Sequence, residues 1–484
     1  MEQQEDPEFM PLTDSSGVSQ QKHEALMTQL DAQKKAKTLQ IPTEDKEVKY
    51  KLRAIGEPVC LFGEGPAERR DRLRFFLSNL DEKEAIKVLT AKASVHEKVV
   101  TTSKREIFYT EGSKELKKIR EWLITYSIPR SQYRLVHTQA KRKRDESDAD
   151  REAEDAQDKY YEESDKALRD FGLVGTVRGD ERPLSSVKYT PDGKHLLTSS
   201  WTGQAKVWEA DTQKHVMTLR GHKDRCNDVI VTPNTAPKRM FATSSADKTV
   251  RLYGEDGVSV STLEGHLARV NRLDFHPSGR LLASASHDAS WKLWDVERGT
   301  ELMDQEGHSR AVHDVKFDTD GGLAVSVGYD VYGRLWDLRT GSNIMVFDGH
   351  VKPVVSASFH PNGGYIITGS EDHTAKVWDL RKRRCMYTIL AHSAMITNVS
   401  YFPSDPVWFT KGEVSSDVFS SEFLLTSSID GTCKVWSGRD FSHVKTLATP
   451  GEKIMSADVN TKLGQIATAH YDRNLRVWGP EGYA

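Results

Sequence analysis

The chain has 484 residues, of which 29 % are charged and 37 % hydrophobic, and its formal net charge is −3. A balance this close to neutral argues against a protein that coats nucleic acid with a basic surface, although it leaves local basic patches open. The sequence has no apolar run of membrane length, an acidic and polar N-terminus, and four cysteines without a Cys-x-x-Cys pair. These features predict a nuclear or cytoplasmic protein with no secretory signal, membrane span or zinc cluster.

Residues 1–47 are mostly polar. Residues 1–17 show no periodicity, which predicts disorder. Residues 19–39 are good helix formers with a thin apolar stripe, and Pro42 ends that segment. We therefore predict one helix within a largely disordered region, and the pattern leaves open whether the helix docks on a partner or stays solvated.

Residues 48–126 combine a turning stretch with short amphipathic helices. Glycines and prolines at positions 56–66 favour a non-helical path, after which Pro66 suits the first turn of a helix. Two further short amphipathic helices are predicted over residues 81–90 and 113–124, the latter with its apolar residues on one face. Gly63-Glu64-Gly65 lacks the lysine of a phosphate loop and predicts a turn. The result is a small helical module that needs a partner surface, because its own core is small.

The composition changes abruptly over residues 127–170. Lys141-Arg142-Lys143-Arg144 is typical of a nuclear localisation signal or a phosphate contact, and a solvated charge run is the alternative. Asp145 to Asp165 contains eleven acidic residues and two basic ones, which indicates a linker or an extended helix. We predict a charged linker that divides the chain in two.

From residue 171 to residue 484 one short pattern, a basic residue followed two positions later by an aromatic one, recurs seven times. The aromatic residues of the copies are Trp208, Tyr253, Trp294, Trp336, Trp378, Trp436 and Trp478. Five of the six steps between them are 41 to 45 residues long. This period, together with Trp-Asp pairs, indicates four-stranded propeller blades, which must stack around an axis because no blade buries both of its faces alone. The predicted fold is mainly β, a seven-bladed propeller.

Polar residues recur at fixed distances before each aromatic residue. The clearest set is His266, Ser286, Asp288 and Trp294. The array resembles the WD-repeat family, in which such residues form a hydrogen-bonded structural tetrad. Because the set returns blade after blade, it predicts a structural role and not a catalytic one. No Gly-x-Ser-x-Gly elbow or metal-ligand spacing is present, so the sequence predicts no enzyme activity, no cofactor and no metal.

Ring closure can also be predicted. Only six residues follow Trp478, too few for another strand. Residues 173–178 stand where the repeat calls for an outer strand. We expect this N-terminal segment to complete the last blade, because closure removes free strand edges.

Two loop levels of the propeller are candidate contact sites for RNA or a protein. The sixth blade carries an insertion of about 16 residues. The strand order of the resembled WD-repeat fold puts this insertion on the same face as a basic turn in the fifth blade. Clustered cations beside aromatic residues hold an RNA backbone or an acidic segment, and a solvated turn is the alternative. The candidates there are Arg381, Lys382, Arg383, Arg384, Trp408 and Phe409. On the other face, arginines, a lysine and aromatic residues stand at one loop level: Arg225, Arg269, Arg310, Lys352, Trp201 and Tyr329.

The stretch from Val48 to Arg74 resembles the splicing factor motif. The matching positions are Leu52, Arg53, Gly56, Glu57, Pro58, Phe62, Gly63, Glu64, Arg69 and Arg70. With the linker and a C-terminal propeller, the chain from residue 48 onward resembles the WD-repeat subunit of the U4/U6 small nuclear ribonucleoprotein, the pre-mRNA processing factor four family.

The resemblance implies a nuclear, non-catalytic scaffold subunit of the U4/U6 and U4/U6·U5 particles of pre-mRNA splicing. It implies a partner of the pre-mRNA processing factor three type, and U4/U6 snRNA contacted directly or through partners. It also implies, in some organisms, a cyclophilin-type prolyl isomerase bound between motif and propeller. The alternative is a WD-repeat adaptor of a ubiquitin ligase or signalling complex, which needs an F-box-like or coiled-coil pattern that the N-terminal module lacks.

Overall fold

The computed structural model describes residues 45–55, 65–79, 110–144, 162, 164–233, 238–404 and 421–480. The chain divides into two compact units, Met1–Thr102 and Ser103–Ala484. The helices predicted at residues 19–39 and 81–90 lie outside the described residues. Over the residues that are described, no helix is both long enough and apolar enough to cross a membrane.

The described part of the first unit is a pair of packed helices, α1 (Asp45–Ile55) and α2 (Pro66–Asn79). Their shared core consists of Val48, Leu52, Leu73 and Leu77, each at most 1 % exposed. The Gly65 N–H donates to Glu68 Oε2 at 2.9 Å, which satisfies one free donor at the start of α2. The predicted start of this helix at Pro66 is confirmed. Helix α1 was not predicted, because its apolar residues are few and it directly precedes the glycines and prolines of residues 56–66 in the sequence.

The second unit contains strand β1 (Thr110–Gly112), helix α3 (Leu116–Arg144) and the propeller. Seven antiparallel sheets, the blades, confirm the predicted fold class. Strand β2 is Phe171–Arg178. Blades 1 to 3 contain β3 Leu184–Tyr189, β4 His195–Ser200, β5 Ala205–Glu209, β6 His215–Leu219, β7 Cys226–Val231, β8 Phe241–Ser245, β9 Val250–Tyr253, β10 Ser259–Leu263, β11 Val270–Phe275, β12 Leu281–Ser286, β13 Trp291–Asp295 and β14 Thr300–Gln305.

Blades 4 to 7 contain β15 Val312–Phe317, β16 Leu323–Gly328, β17 Gly333–Asp337, β18 Ser342–Phe347, β19 Val354–Phe359, β20 Tyr365–Ser370, β21 Thr374–Asp379, β22 Arg384–Leu390, β23 Ile396–Ser404, β24 Ser421–Ser428, β25 Thr432–Ser437, β26 His443–Ala448, β27 Ile454–Asn460, β28 Gln465–His470 and β29 Asn474–Pro480. In each blade the first strand lies innermost. The hydrophobic core is divided into layers between neighbouring blades, as where Leu293 of blade 3 and Trp336 of blade 4 share one cluster. Stacking therefore buries the faces that a single sheet leaves open.

Strand β2 closes the ring. It pairs antiparallel with β29, from Phe171 opposite Pro480 to Arg178 opposite Asn474, and so becomes the outer strand of blade 7. Phe171 is 5 % exposed and joins the core between blades 6 and 7. The predicted closure by the N-terminal segment is confirmed.

Helix α3 crosses residue 126, where the sequence predicted a boundary between the helical module and the charged linker. The helix runs without interruption from Leu116 to Arg144, and residues 103–126 group with the propeller. Leu116, Ile119 and Leu123, predicted to form an apolar face, are buried in one cluster with residues of blades 3 and 4. The partner surface of this helix is therefore the chain's own propeller. Strand β1, just before it, adds a fifth strand to blade 3 by pairing with β14.

Contacts beyond Pro129 explain why α3 passes through a proline. Pro129 removes one helical hydrogen bond, a cost of about 3 kcal/mol that favours a helix end there. One turn later, Arg134 donates to Asp320 Oδ2 at 2.7 Å and to the Asn362 carbonyl at 2.5 Å. The Asp320 side chain is only 9 % exposed, so its ion pair is poorly screened by solvent. These contacts offset the local cost, which sequence periodicity does not reveal.

Replacing residues 171–178 with eight Gly and Ser residues tests the closure. We expect aggregation, because β29 becomes an unpaired edge, and a fall in melting temperature of about 10 °C, since each kcal/mol is worth about 2–4 °C in domains approaching this size. The matched control replaces β10, the outer strand of blade 2, whose loss leaves the ring closed. Equal changes in the two variants, measured by scanning calorimetry and light scattering, would contradict a special role for β2.

Candidate functional site

The recurring polar residues of blade 3 form a buried chain of hydrogen bonds. His266 Nδ1 lies 2.8 Å from Asp288 Oδ2, and His266 Nε2 lies 2.6 Å from Ser284 Oγ. Trp294 Nε1 donates to the same Ser284 oxygen at 2.8 Å. The set links a loop, the turn between β12 and β13, and the third strand of the blade. We call the face of the propeller that carries these pairs the His–Asp face.

The serine of this tetrad is Ser284, and the prediction of Ser286 was wrong. Both side chains lie on the same side of β12, but Trp294 pairs opposite Leu282, so Ser284 is its diagonal neighbour. Ser286 stands one step further along, at the turn. Its hydroxyl donates to the carbonyls of Ala268 and Arg269 and accepts from the Asp288 N–H. Ser286 therefore fixes the turn and does not reach the imidazole.

The tetrad is structural. The equivalent His–Asp pairs recur in blades 2, 4, 5 and 6, each at 2.8 to 3.1 Å. Ser284 is fully buried, so no substrate reaches its hydroxyl. Burial opposes ionisation of Asp288, but the hydrogen bond from His266 and those from backbone N–H groups outweigh it and lower its pKa to about 2. Ionised Asp288 therefore stabilises the fold above about pH 4, and this contribution is lost as the pH falls towards 2.

At the centre of the His–Asp face lies a cavity of about 360 Å³. Four of the predicted contact residues line it: Trp201, Tyr329, Arg225 and Arg269. The Arg225 guanidinium lies over the Trp201 ring, 5.1 Å from its centroid, a cation–π contact. Arg310 and Lys352 are exposed on the same face but are not part of the lining.

The cavity mouth is ringed by β-bulges, one from each blade. In all seven innermost strands the pairing register shifts around the second residue, which is left unpaired. These seven residues all line the cavity: Ser185, Asn227, Asn271, His313, Val355, Thr397 and Met455. A bulge re-aims a side chain, and bulges are common beside binding sites. Here they turn seven side chains towards the propeller axis.

Sequence reasoning missed this ring, although a signal was present. The first six bulge residues follow one another at steps of 42 or 44 residues, the same period as the aromatic copies. Their residue types vary from blade to blade, so no motif stands out. Arg272, which follows Asn271 and also lines the cavity, was missed for the same reason.

The opposite face carries the basic turn. Arg381, Lys382 and Arg383 lie between β21 and β22, Arg384 is the first residue of β22, and all four are exposed. The turn backbone is held by Asp379, whose Oδ1 accepts from the N–H groups of Arg381 and Lys382 at 2.8 and 3.1 Å. Trp408 and Phe409 lie outside the described residues, between β23 and β24. Both strand ends that flank them belong to this same face.

The splicing factor motif lies in the first unit, and part of it is described. Leu52 is fully buried between α1 and α2, and Arg69 is 6 % exposed. Arg53 belongs to α1 and Arg70 to α2. Gly56, Glu57, Pro58, Phe62, Gly63 and Glu64 lie outside the described residues. The described motif positions thus belong to the packed helix pair.

In one acidic cluster the side chains lie close enough together to bind a metal ion. Glu452, His470 and Asp472 of blade 7 bring their ligand atoms within 4.8 Å of one another. Arg476 already occupies the position of a cation, since its Nη2 donates to Glu452 at 2.9 Å and to Asp472 at 3.1 Å. The cluster stands where blades 2 to 6 have the His–Asp pair, and it is a structural variant of that pair.

Comparison with known proteins agrees with both halves of this architecture. A family model described as the IFT122 first beta-propeller matches residues 183–479. A second model, pre-mRNA processing factor 4 (PRP4) like, matches residues 48–74. A U4/U6 small nuclear ribonucleoprotein PRP4-like protein of Arabidopsis thaliana is 45 % identical over 99 % of this chain and 82 % of its own length. The chain belongs to the PRP4 family.

Other members of the PRP4 family align with a smaller part of this chain. The human U4/U6 small nuclear ribonucleoprotein Prp4 is 38 % identical over 45 % of this chain and 40 % of its own length. The Saccharomyces cerevisiae PRP4 protein is 28 % identical over 54 % of this chain and 56 % of its own length. The family motif and the propeller therefore occur together in one chain, as the sequence predicted.

Two serine substitutions distinguish the contribution of the tetrad to stability from that of the turn in this PRP4-family propeller. Ser284→Ala leaves His266 and Trp294 without their shared partner, so we expect a loss of about 2–4 kcal/mol in the free energy of unfolding. Ser286→Ala removes only turn hydrogen bonds, at about 1 kcal/mol. Urea unfolding followed by circular dichroism measures both, and Ser326→Ala in blade 4 should reproduce the Ser284 result. A larger loss for Ser286→Ala would overturn the assignment.

Proposed function

We propose that this chain is a nuclear, non-catalytic scaffold subunit of the U4/U6 and U4/U6·U5 small nuclear ribonucleoproteins, where it holds partner proteins and snRNA during splicing. The observation that carries the proposal is one chain that joins the PRP4-like segment, residues 48–74, to a closed propeller with separate candidate surfaces on its two faces. Its relatives are named as U4/U6 proteins, which supports the same particle.

Within this proposal, we assign RNA binding to the basic turn on the face opposite the His–Asp face. Arg381, Lys382, Arg383 and Arg384 present four exposed cations in one turn. The Leu380 N–H donates to the Gly364 carbonyl at 3.1 Å, and the neighbouring Asn362 carbonyl accepts from Arg134 of α3. Helix α3 and the basic turn thus adjoin on blade 5. Clustered cations on a rigid support suit a phosphate backbone.

Helix α3 supplies a candidate surface for a second protein. Its buried side packs on the propeller, while Ile124, Ile128 and Leu135 are 41, 38 and 46 % exposed. Their spacing of four and seven residues places them on one side of the helix. We assign this stripe to the cyclophilin-type prolyl isomerase that the family resemblance implies. The aromatic and cationic His–Asp face is assigned to the partner of the pre-mRNA processing factor three type.

Purification from nuclear extract tests the particle. The tagged chain, washed at moderate salt because phosphate contacts weaken as salt rises, should enrich U4 and U6 over other small nuclear RNAs. Mass spectrometry of the same eluate should find the processing factor three protein and, where the organism has one, the prolyl isomerase. A tagged propeller fragment without residues 48–74 serves as the comparison. Ubiquitin-ligase subunits without RNA would replace the proposal by the adaptor function.

Charge reversal at the basic turn tests direct RNA binding. For purified chain binding U4/U6 RNA, changing Arg381, Lys382, Arg383 and Arg384 to Glu should weaken binding and flatten the slope of log affinity against log salt. The slope should change by about one unit for each phosphate that the turn no longer neutralises. A control variant reverses four exposed, separated cations, Arg178, Lys214, Lys238 and Lys462. Equal slopes in the two variants would exclude the turn as an RNA-binding site.

A further inference from the structure

The cavity on the His–Asp face has a cationic half. Arg225, Arg269 and Arg272, from blades 2 and 3, line it, and none of the described residues in its lining is acidic. Arg225 and Arg269 are exposed at the mouth, and Arg272 is 7 % exposed deeper in the channel. The nearest carboxylate to Arg225 is Asp224, at 4.0 Å, with both side chains about half exposed and therefore weakly paired. The Arg272 guanidinium reaches across the channel, where its Nη2 donates to the Thr397 carbonyl of blade 6 at 3.2 Å. Arg225 and Arg269 therefore give this half of the cavity its excess of positive charge, at the mouth.

One deeply placed donor in this half has no partner within the described structure. At the equivalent bulge of three other blades, the side chain donates to the first inner-strand carbonyl of the next blade. These bonds run from Ser185 to Cys226 at 2.6 Å, from Asn227 to Val270 at 2.6 Å and from Thr397 to Ile454 at 3.1 Å. Asn271 occupies the same position and is 9 % exposed, yet its Nδ2 makes no such bond. A buried amide without a partner is costly, which points to an acceptor supplied by a ligand.

The other half of the cavity is mostly apolar, although Thr397 of blade 6 also lines it. Val355, Met395, Ile429 and Met455, from blades 5 to 7, face the arginines across the axis. Methionine side chains adapt their shape to a bound apolar group. A ribose-phosphate chain laid across the cavity would place its hydroxyl and phosphate oxygens against these residues without partners, which is unfavourable. An extended peptide, with an acidic side chain next to an apolar one, matches both halves.

We propose that this cavity binds an extended segment of a partner protein, which places a carboxylate among Arg225, Arg269 and Asn271 and an apolar side chain against Met395 and Met455. The volume of about 360 Å³ holds one or two side chains and not a folded element. Asn271 and Met455 are bulge residues of inner strands, and Arg225, Arg269 and Met395 each directly precede an inner strand. These groups are therefore held close to rigid strands, so little order is lost on binding. The proposal rests on the proposed function only in assigning a protein partner to the His–Asp face.

Selection from a displayed library of random nine-residue peptides tests this chemistry without knowledge of the partner. The full chain is the bait, and the variant with Arg225→Glu and Arg269→Glu is used for counter-selection. Both residues are exposed, so the variant should keep its fold, which its melting temperature checks. We expect enrichment of Asp or Glu adjacent to Leu, Ile, Met or Phe. Enriched peptides without acidic residues, or no enrichment, would overturn the proposal.

Synthetic peptides from the selection then give the affinities. By fluorescence anisotropy at physiological salt, changing the acidic residue to its amide should weaken binding about tenfold or more, and Arg269→Ala should do the same. Asn271→Ala should also weaken binding. Met455→Ser should weaken the binding of a peptide more when the apolar residue of that peptide is larger. The controls are Lys223→Ala and Lys248→Ala, exposed residues of the same face outside the cavity lining, which should leave the affinity unchanged. Equal effects of the control and cavity variants would show that the peptide is attracted by general surface charge, which would contradict binding in the cavity.

Two further probes distinguish the source of the anion. A phosphoserine version of the selected peptide that binds more tightly, still dependent on Arg269, keeps the cavity as a peptide site with phosphate as the preferred anion. An eight-residue oligouridine that displaces the peptide and binds at least as tightly would assign the cavity to RNA and overturn the proposal. Failure here is separable from failure of the proposed function, because enrichment of U4 and U6 by the tagged chain is measured independently.

Discussion

The pairing of β2 with β29 is the constraint on which the rest of the structure depends. All seven blades have both faces covered only if the ring is closed. The outer strand of the last blade is β2, which comes from the N-terminal side of the propeller. Closure also brings the seven inner-strand bulges to a common axis. An open array would carry the same tetrads, but it would have an exposed edge and no central cavity.

Within the closed ring, polar groups are divided between two tasks. The tetrads satisfy one another: in blade 3 the hydroxyl of Ser284 serves both His266 and Trp294, and Asp288 accepts from the histidine. Such a set rigidifies its blade and has nothing left to offer a ligand. Only some of the bulge side chains have hydrogen-bond partners. Asn271 lacks the bond to the next blade that its counterparts in three other blades make. The regular tetrads are therefore structural, and the irregular position Asn271 is the one at which we propose that a ligand binds.

The repeated features were predictable from the sequence, and the features that depend on tertiary contacts were not. The aromatic copies at a constant period predicted seven blades, and the missing strand after Trp478 predicted the closing segment. The choice between Ser284 and Ser286 depends on strand register, since both serines recur at fixed distances before the tryptophan. The passage of α3 through Pro129 depends on Arg134 reaching Asp320, a residue 186 positions away in the sequence. The cavity combines one residue per blade, and no single motif marks it.

The geometry of the blades separates the two assigned surfaces. Each inner strand is about six residues long, or roughly 20 Å at about 3.3 Å per residue, and it runs from one face to the other. The proposed RNA site at Arg381–Arg384 and the proposed peptide site at Arg269 therefore lie at opposite ends of the strands and share no residues. Sites this far apart act additively unless the body between them deforms. Because closure and the buried tetrads resist such deformation, the propeller is suited to hold two partners at once without making the binding of one depend on the other.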